Sequence, residues 1–189
     1  DLPDGGASHF ARTITAIRAL AADTCVEALI PDFGGGLAEI QTVVEAGPDV
    51  IGHNLETTER LTPKVRDPRA SYRKSLGVLE QVKEVNQRIL TKSSLMLGLG
   101  EQKDDVLQTL RDLREVDTDF LTLGQYLRPS PRNLPVARYI TPDEFRYYRD
   151  VGDRLGFKYV ASGPLVRSSY RAGEYFVNSV VRRIGHGTS

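Results

Sequence analysis

The chain has 189 residues, of which 40% are hydrophobic and 26% are charged, which is typical of a single globular domain. Lysine plus arginine number 25, as do aspartate plus glutamate, so the formal net charge is zero and the chain lacks the basic excess of a general nucleic-acid binder. No run of apolar residues approaches the roughly 20 that a membrane span needs, and no N-terminal apolar stretch resembles a signal peptide. Neither nucleic acid nor a membrane is therefore predicted as a partner.

The sequence contains one cysteine, Cys25. A single thiol excludes an intrachain disulfide and favours a cytoplasmic localisation. It also excludes a zinc site or an iron–sulfur cluster held by the thiolates of this chain alone. Because Cys25 comes just before an apolar run, we expect a small buried side chain there. The sequence begins at Asp1 without a methionine, in a turn-like DLPDGG segment, which favours the interpretation that an N-terminal part is missing.

Short apolar runs alternate with amphipathic stretches along the chain. Ser8 is placed to cap the first predicted helix and Thr141 is placed to cap the last one. Hydrophobic periodicity distinguishes the other helices from the short apolar strands. The predicted order is helix 8–20, strand 26–31, helix 37–46, strand 49–54, an irregular polar segment 55–68, helix 71–87, strand 89–99, helix 104–116, strand 120–127, helix 141–155 and strand 158–163.

Strands that alternate with helices indicate βα units, and βα units build a parallel sheet. The helices are long enough, and the loops short enough, for the crossovers of a barrel or a doubly wound sheet. A complete (β/α)8 barrel needs about 250 residues. The α/β fold that fits best is therefore a partial (β/α) barrel, truncated at its N-terminal end, over residues 1–163. Residues 164–189 are predicted to be a C-terminal segment with a frayed tail.

Polar residues recur where the predicted strands end, and this end of a βα barrel is where active sites lie. His53 is more typical of a satisfied structural histidine than of a catalyst. The segment 98–101, GLGE, lacks the Lys-Ser/Thr of a Walker loop. It fits a ligand-contacting loop and an ordinary strand-to-helix turn equally well. The strand ends carry Asp32, His53 to Thr57, Gly98 to Glu101, Gln125 to Arg128, and Ser162 with Gly163.

Three motifs are more specific than a general βα pattern: GHNLET at 52–57, GQYLRPS at 124–130 and RSSY at 167–170. With these motifs the chain resembles the C-terminal two-thirds of the lipoyl synthase family, which is part of the radical SAM superfamily. The matching segments keep the family's order and spacing. They are DLPDGGASHF (1–10), VEALIPDFGGG (26–36), PDVIGHNLETTERL (48–61), TKSSLMLGLGE (91–101), LTLGQYLRPS (121–130), LPVARYITPDEF (134–145) and GPLVRSSYRAGEYF (163–176).

The resemblance implies a partial barrel of the radical SAM type and a sulfurtransferase of lipoate biosynthesis. Such an enzyme inserts two sulfur atoms into an octanoyl group on a carrier protein, and cofactors must supply chemistry this demanding. In the family, one [4Fe–4S] cluster cleaves S-adenosylmethionine to a radical that abstracts hydrogen, and an auxiliary [4Fe–4S] cluster is consumed as the sulfur donor. The implied partners are an octanoylated lipoyl domain or glycine-cleavage carrier protein, and a reductant such as ferredoxin or flavodoxin.

The resemblance also implies roles for individual residues. A serine of the RSSY motif ligates the auxiliary cluster in the family, which makes Ser168 the first candidate metal ligand and Ser169 the second. Arg167 and Tyr170 would shape that pocket. The implied cofactor-binding residues are Gly5 and Gly6 near the methionine part of S-adenosylmethionine; Asn54, Glu56, Lys92 and Ser93 facing the cofactor or the octanoyl chain; Gly98, Gly100 and Glu101 near the adenosine; and Gln125, Tyr126 and Arg128 near the adenine.

One feature of the family is absent from this sequence. The family holds its clusters on the motifs C-x-x-x-C-x-x-C and C-x-x-x-x-C-x-x-x-x-x-C, both upstream of the DLPDGG segment. Neither motif is present, and Cys25 matches no ligand. We therefore expect the cysteine ligands upstream of this chain, no catalytic residue within it, and no activity of the 189 residues alone.

Two alternatives to the enzyme fragment stay open. The chain fits a decayed, cluster-less paralogue that binds S-adenosylmethionine or an acyl-carrier protein, although a retained RSSY motif argues against decay. With the resemblance set aside, it fits a generic βα domain that binds a phosphorylated metabolite. Arg128, Arg132 and Arg138, in and beside the Pro-rich loop, are either ordinary surface residues or a docking site for an acidic carrier.

Overall fold

The computed structural model describes residues 2–169. Five strands form one parallel sheet in the order β1-β2-β3-β4-β5, so each strand pairs with its neighbour along the chain. The predicted α/β class with a parallel sheet is confirmed. The strands are β1 (Glu27–Leu29), β2 (Val50–Gly52), β3 (Leu90–Leu97), β4 (Phe120–Gln125) and β5 (Tyr159–Gly163).

The predicted helices are also present, with shifts of a few residues at their ends. The polar segment predicted to be irregular contains a 3-10 turn, Glu59–Leu61, followed by a helix of four residues. A single helical turn is too short to show a hydrophobic period, so the sequence pattern missed it. The helices are α1 (Ala7–Leu20), α2 (Leu37–Glu45), α3 (Thr62–Val65), α4 (Tyr72–Val85), α5 (Lys103–Glu115) and α6 (Pro142–Leu155).

The N-cap prediction is confirmed for Thr141 and is wrong for Ser8. The Thr141 hydroxyl accepts a hydrogen bond from the Glu144 N–H at 3.2 Å, and Glu144 completes a capping box. Helix α1 already begins at Ala7, and the Asp4 carboxylate accepts the N–H groups of Gly6 and Ser8, both at 2.9 Å. Hydrogen bonds from Ser8 and Gly6 lower the pKa of Asp4 to about 2. The Asp4 carboxylate therefore accepts the free N–H groups at the start of the helix, where the Ser8 hydroxyl was expected to do so.

The two faces of the sheet differ in what covers them. On one face, strand residues such as Leu95, Leu121 and Val160 pack into a core with residues of helices α4, α5 and α6. Side chains alternate along a strand and register partners share a face, so the other residues define the opposite face, here called the inner face. Its residues include Glu27, Leu29, Val50, Gly52, Leu90, Lys92, Ser94, Met96, Phe120, Thr122, Gly124, Ala161 and Gly163.

Cys25 is exposed, so the expectation of a buried side chain is wrong. The reason is that β1 begins at Glu27, which leaves Cys25 in the connection that leads into the sheet.

Strand β5 ends at Gly163, at the predicted domain boundary. The predicted C-terminal segment is described only as far as Ser169, and Tyr170 and the frayed tail lie outside the described residues. Across residues 2–169, no helix has the length and hydropathy to cross a membrane.

Candidate functional site

A cavity of about 280 Å³ opens on the inner face where β1 and β2 end. Four of the predicted site residues line it together: Asn54, Lys92, Ser168 and Ser169. Asn54 follows β2 and Lys92 belongs to β3, whereas the two serines come from the segment after β5. The structure thus gathers residues that are more than 70 positions apart in sequence into one site.

The cavity contains a buried ion pair. The Lys92 ammonium donates to the Glu27 carboxylate at 2.7 Å, and the Lys92 side chain is only 2% exposed. A buried charge is tolerated when a counter-charge and hydrogen bonds compensate for its lost hydration. Sequence analysis named Lys92 and missed Glu27. An acidic residue inside the apolar run 26–30 was the available signal.

The segment after β2 is strained beside the cavity. Glu56 adopts a left-handed backbone with φ of 66°, although it is not a glycine. Its N–H donates to the Ser94 carbonyl at 3.0 Å, and its own carbonyl accepts from the Met96 N–H at 2.9 Å. The Asn54 amide donates to the Glu56 carboxylate at 3.2 Å. Such strain costs on the order of 1–3 kcal/mol and is concentrated at functional sites in proteins.

Ser93 lies on the face opposite to Lys92, because neighbours in a strand alternate. Its hydroxyl accepts from the Leu55 N–H at 3.2 Å, which fixes the chain after β2 from the helix side. The structure therefore does not bring Ser93 into the cavity.

His53 also faces the helices. Its ring nitrogens lie 2.9 Å from the Ile30 carbonyl and 3.0 Å from the Ser75 hydroxyl. Burial lowers the pKa of His53, so the ring is neutral near pH 7. Both contacts agree with the interpretation of His53 as a structural residue.

The glycine-rich segment 98–101 forms a closed turn at the end of β3. The Glu101 carboxylate is buried and accepts the N–H groups of Gly98 at 2.6 Å and Leu99 at 2.9 Å. Gly98 and Gly100 have positive φ, and a Cβ on Gly98 would lie 2.5 Å from the Arg138 carbonyl oxygen. Within the described residues, this arrangement favours the strand-to-helix turn, since both carboxylate oxygens of Glu101 are used by the loop itself.

Gln125, Tyr126 and Arg128 hold the Pro-rich loop that follows β4. The Gln125 side-chain Oε1 accepts from the Ile140 N–H at 2.8 Å, and the Tyr126 hydroxyl donates to the Leu134 carbonyl at 2.9 Å. Arg128 donates to the Asn133 carbonyl at 2.9 Å. None of the three lines the cavity.

Two of the three arginines in the docking hypothesis have partners within the chain. Arg128 binds carbonyl groups of its own loop, at Asn133 and Pro131. Arg138 pairs with the Glu144 carboxylate at 2.8 Å. These contacts weaken the hypothesis that Arg128, Arg132 and Arg138 together dock an acidic carrier.

Gly5 and Gly6 form the turn that leads into α1, with φ of 59° and 93°. A Cβ on Gly5 would lie 2.9 Å from the Phe33 ring, so the turn is closely packed. Neither glycine lines the cavity.

The inner face also carries a hydroxyl that the described residues leave without a hydrogen-bond partner. Thr122 is 1% exposed, and its Oγ1 has no partner within residues 2–169. Thr57 and Thr58, which follow β2, also have buried hydroxyls without a hydrogen-bond partner among the described residues. An unsatisfied buried hydroxyl costs about 1–3 kcal/mol.

The described residues do not by themselves fit an iron–sulfur cluster. Within 2–169, no group of three or more His, Cys, Asp and Glu side chains could hold a metal ion. Cys25 precedes β1 and is not among the residues that line the cavity. Desolvation and the nearby Asp49 carboxylate raise the pKa of Cys25 to about 11, so the sulfur stays protonated. Both candidate cluster ligands of the sequence prediction, Ser168 and Ser169, thus lie at the cavity.

Comparison with known families agrees with this geometry. A family profile of the radical SAM superfamily matches residues 10–113, which is more than half of the chain. The chain belongs to the radical SAM superfamily. The crystal structure of methylornithine synthase has the same fold, with a TM-score of 0.57 and 15% identity over 94% of this chain and 61% of that chain.

Several lipoyl synthases are similar to this chain in sequence. That of Thermus thermophilus is 58% identical over 96% of this chain and 56% of its own length. The mitochondrial lipoyl synthase of Candida albicans is 53% identical over 98% of this chain and 48% of its own length. The mitochondrial lipoyl synthase of Drosophila ananassae is 52% identical over 96% of this chain and 48% of its own length. The predicted resemblance is confirmed, and the chain spans about half the length of the curated relatives it matches.

Proposed function

We propose that this chain is part of a lipoyl synthase, which inserts two sulfur atoms into a protein-bound octanoyl group. The identity of 52% to 58% with proteins of that name supports this function over a cluster-less binding domain. The structural observation that carries it is the shared cavity of Ser168, Ser169, Asn54 and Lys92.

The cofactors of the proposal are S-adenosylmethionine and two [4Fe–4S] clusters. Overall, each of two octanoyl carbons loses one hydrogen atom and gains one sulfur atom. Unactivated C–H bonds are too strong for acid–base chemistry, so the bound cofactors supply the radical chemistry. The thiolate ligands come from cysteines outside these 189 residues, because this sequence contains one cysteine and that one lies away from the cavity.

In this proposal, residues on the inner face bind and orient the cofactors. The Ser168 hydroxyl would supply an oxygen ligand to the auxiliary cluster, and a hydroxyl oxygen would be a weak ligand to iron. Lys92, in an ion pair with Glu27, lines the same cavity as Ser168 and offers a hydrogen-bond donor there.

The partners of the proposal follow from this reaction. The substrate is an octanoylated lipoyl domain or the glycine-cleavage carrier protein, and a ferredoxin or flavodoxin supplies electrons. The predicted cytoplasmic setting and the absence of nucleic-acid and membrane partners stay predictions from composition.

Ser168→Ala and Ser169→Ala in the full-length protein test the role of the cavity. After anaerobic reconstitution, Ser168→Ala is expected to form 5′-deoxyadenosine but to lose sulfur insertion by at least about tenfold, a loss typical of changes around a metal centre. Ser169→Ala is the matched control and should retain insertion. Mass spectrometry of the carrier measures both. Insertion by Ser168→Ala at the wild-type rate would contradict the assignment.

The wild-type protein in the same assay decides between the proposed function and its alternative. A reconstituted full-length protein that binds S-adenosylmethionine and forms no 5′-deoxyadenosine would support the cluster-less binding domain instead.

A further inference from the structure

The chain turns back onto the inner face directly after β5. The Val166 N–H donates to the Gly163 carbonyl at 3.1 Å, which closes a tight turn. Val166 is 8% exposed and belongs to the same apolar cluster as Leu90, Phe120 and Ala161. Val166 therefore fixes the start of segment 166–169 on the inner face, whereas Arg167 and Ser169 are exposed.

Gly124 lies under this crossing. It belongs to β4, between its register partners Met96 and Gly163. A Cβ at Gly124 would lie 2.2 Å from the Val166 carbonyl oxygen and 3.2 Å from the Val166 carbonyl carbon. These are backbone atoms, so no side-chain rotation would relieve the overlap. Gly124 is not among the glycines with positive φ, so its backbone conformation does not require a glycine. The glycine is required because a side chain would overlap the Val166 backbone.

The Arg167 side chain folds back onto the same carbonyl. Its guanidinium Nη1 donates to the Val166 carbonyl at 2.7 Å and lies 3.6 Å from the position of a Cβ on Gly124. The next two residues, Ser168 and Ser169, then reach the cavity beside Lys92.

We propose that Gly124 is a positioning residue for segment 166–169. The absence of a side chain at this point of β4 lets the segment cross the inner face and brings Ser168 to the cavity, while Arg167 holds the crossing in place. The positioning role is independent of the reaction, whereas its effect on catalysis rests on the proposed function.

Gly124→Ala in the full-length protein tests the positioning role, with Gly163→Ala as the matched control. A Cβ on Gly163 would meet Val166 Cγ2 at 3.5 Å, an ordinary contact. Amide hydrogen exchange at Val166, whose N–H donates to the Gly163 carbonyl, is expected to rise at least about tenfold in Gly124→Ala and to stay at the wild-type rate in Gly163→Ala, with β3 unchanged in both. Wild-type protection of Val166 in Gly124→Ala would overturn the proposal.

Arg167→Gln covers the case in which Gly124→Ala does not fold. It removes the hydrogen bond from the Arg167 guanidinium to the Val166 carbonyl and leaves β4 unchanged. Faster exchange at Val166 supports the proposal, and unchanged exchange overturns it.

Activity of the same variants separates this proposal from the proposed function. In Gly124→Ala, 5′-deoxyadenosine should still form while sulfur insertion falls at least about tenfold, as for a displaced metal ligand. If the wild-type protein inserts no sulfur, the proposed function fails, and the exchange measurements still decide the positioning role.

Discussion

The Lys92–Glu27 pair places a charge where the rest of the sheet is largely apolar. Glu27→Gln replaces the carboxylate beside the buried Lys92 ammonium with a neutral amide, and we expect the free energy of unfolding to fall by about 1–3 kcal/mol. Denaturant unfolding of the full-length protein measures the change. Asp67→Asn, which removes an exposed pair with Arg69, is the control and should cost at most about 0.5 kcal/mol. An equal, small effect of both variants would contradict the role given to the buried pair.

Which site residues share a face was only partly visible in the sequence. Lys92 and Ser93 were predicted to face the same ligand, but adjacent strand residues alternate, so Ser93 turns to the helices. The partnership of Lys92 with Glu27 joins residues 65 positions apart, which no local pattern reveals. The close approach of Val166 to Gly124 was invisible for the same reason.

At the level of the elements, helix α6 packs closely against β5. A Cβ on Gly152 of α6 would lie 2.8 Å from Cγ2 of Val160, whose side chain is stiff at χ1. A Cβ on Gly77 of α4 would meet nothing within 4 Å.

Alanine substitution is therefore expected to have opposite effects at these two helical glycines. Gly77→Ala should raise the free energy of unfolding by about 0.5–1 kcal/mol, the gain in helix propensity. Gly152→Ala should lower it by about 1 kcal/mol, because overpacking outweighs that gain. Thermal and denaturant unfolding give both values. Stabilisation by Gly152→Ala would show that the two elements pack less closely.

The start of α6 gives a pH-dependent prediction. Hydrogen bonds from Arg138 and from the Thr141 N–H lower the pKa of Glu144 from 4.5 to about 2. Because the folded-state pKa is lower, this contribution to stability is complete above pH 4.5 and is lost as the pH falls towards 2. The stability difference between wild type and Glu144→Gln should therefore shrink over this interval.

Thr141→Ala is the companion variant. It removes the cap hydroxyl but keeps the Arg138–Glu144 pair, so it should cost about 1 kcal/mol. Denaturant unfolding at a series of pH values checks both variants. A difference for Glu144→Gln that stays constant down to pH 2 would contradict the shifted pKa.

The order of the elements was predictable because strands and helices have different hydrophobic periods. All five predicted strands are present, but β1 and β2 pair over three residues each, which is shorter than their apolar runs. Strand β3 ends at Leu97 because Gly98 leaves the extended conformation with φ of 102°. The ends of strands depend on their partners, which a single sequence does not show.

At the scale of the whole molecule, the described residues present one end of a parallel sheet with a cavity, a serine segment across it and unsatisfied hydroxyls nearby. The chain spans about half the length of its lipoyl synthase relatives. Its single cysteine leaves the thiolate ligands of a cluster to residues outside this sequence.

The most direct test compares the full-length protein with the 189-residue chain after anaerobic reconstitution, in the presence of S-adenosylmethionine, a reductant and an octanoylated lipoyl domain. We predict that the full-length protein forms 5′-deoxyadenosine and adds two sulfur atoms to the carrier, and that the 189-residue chain forms neither product. A full-length protein without sulfur insertion, or 5′-deoxyadenosine formed by the 189-residue chain alone, would contradict the account.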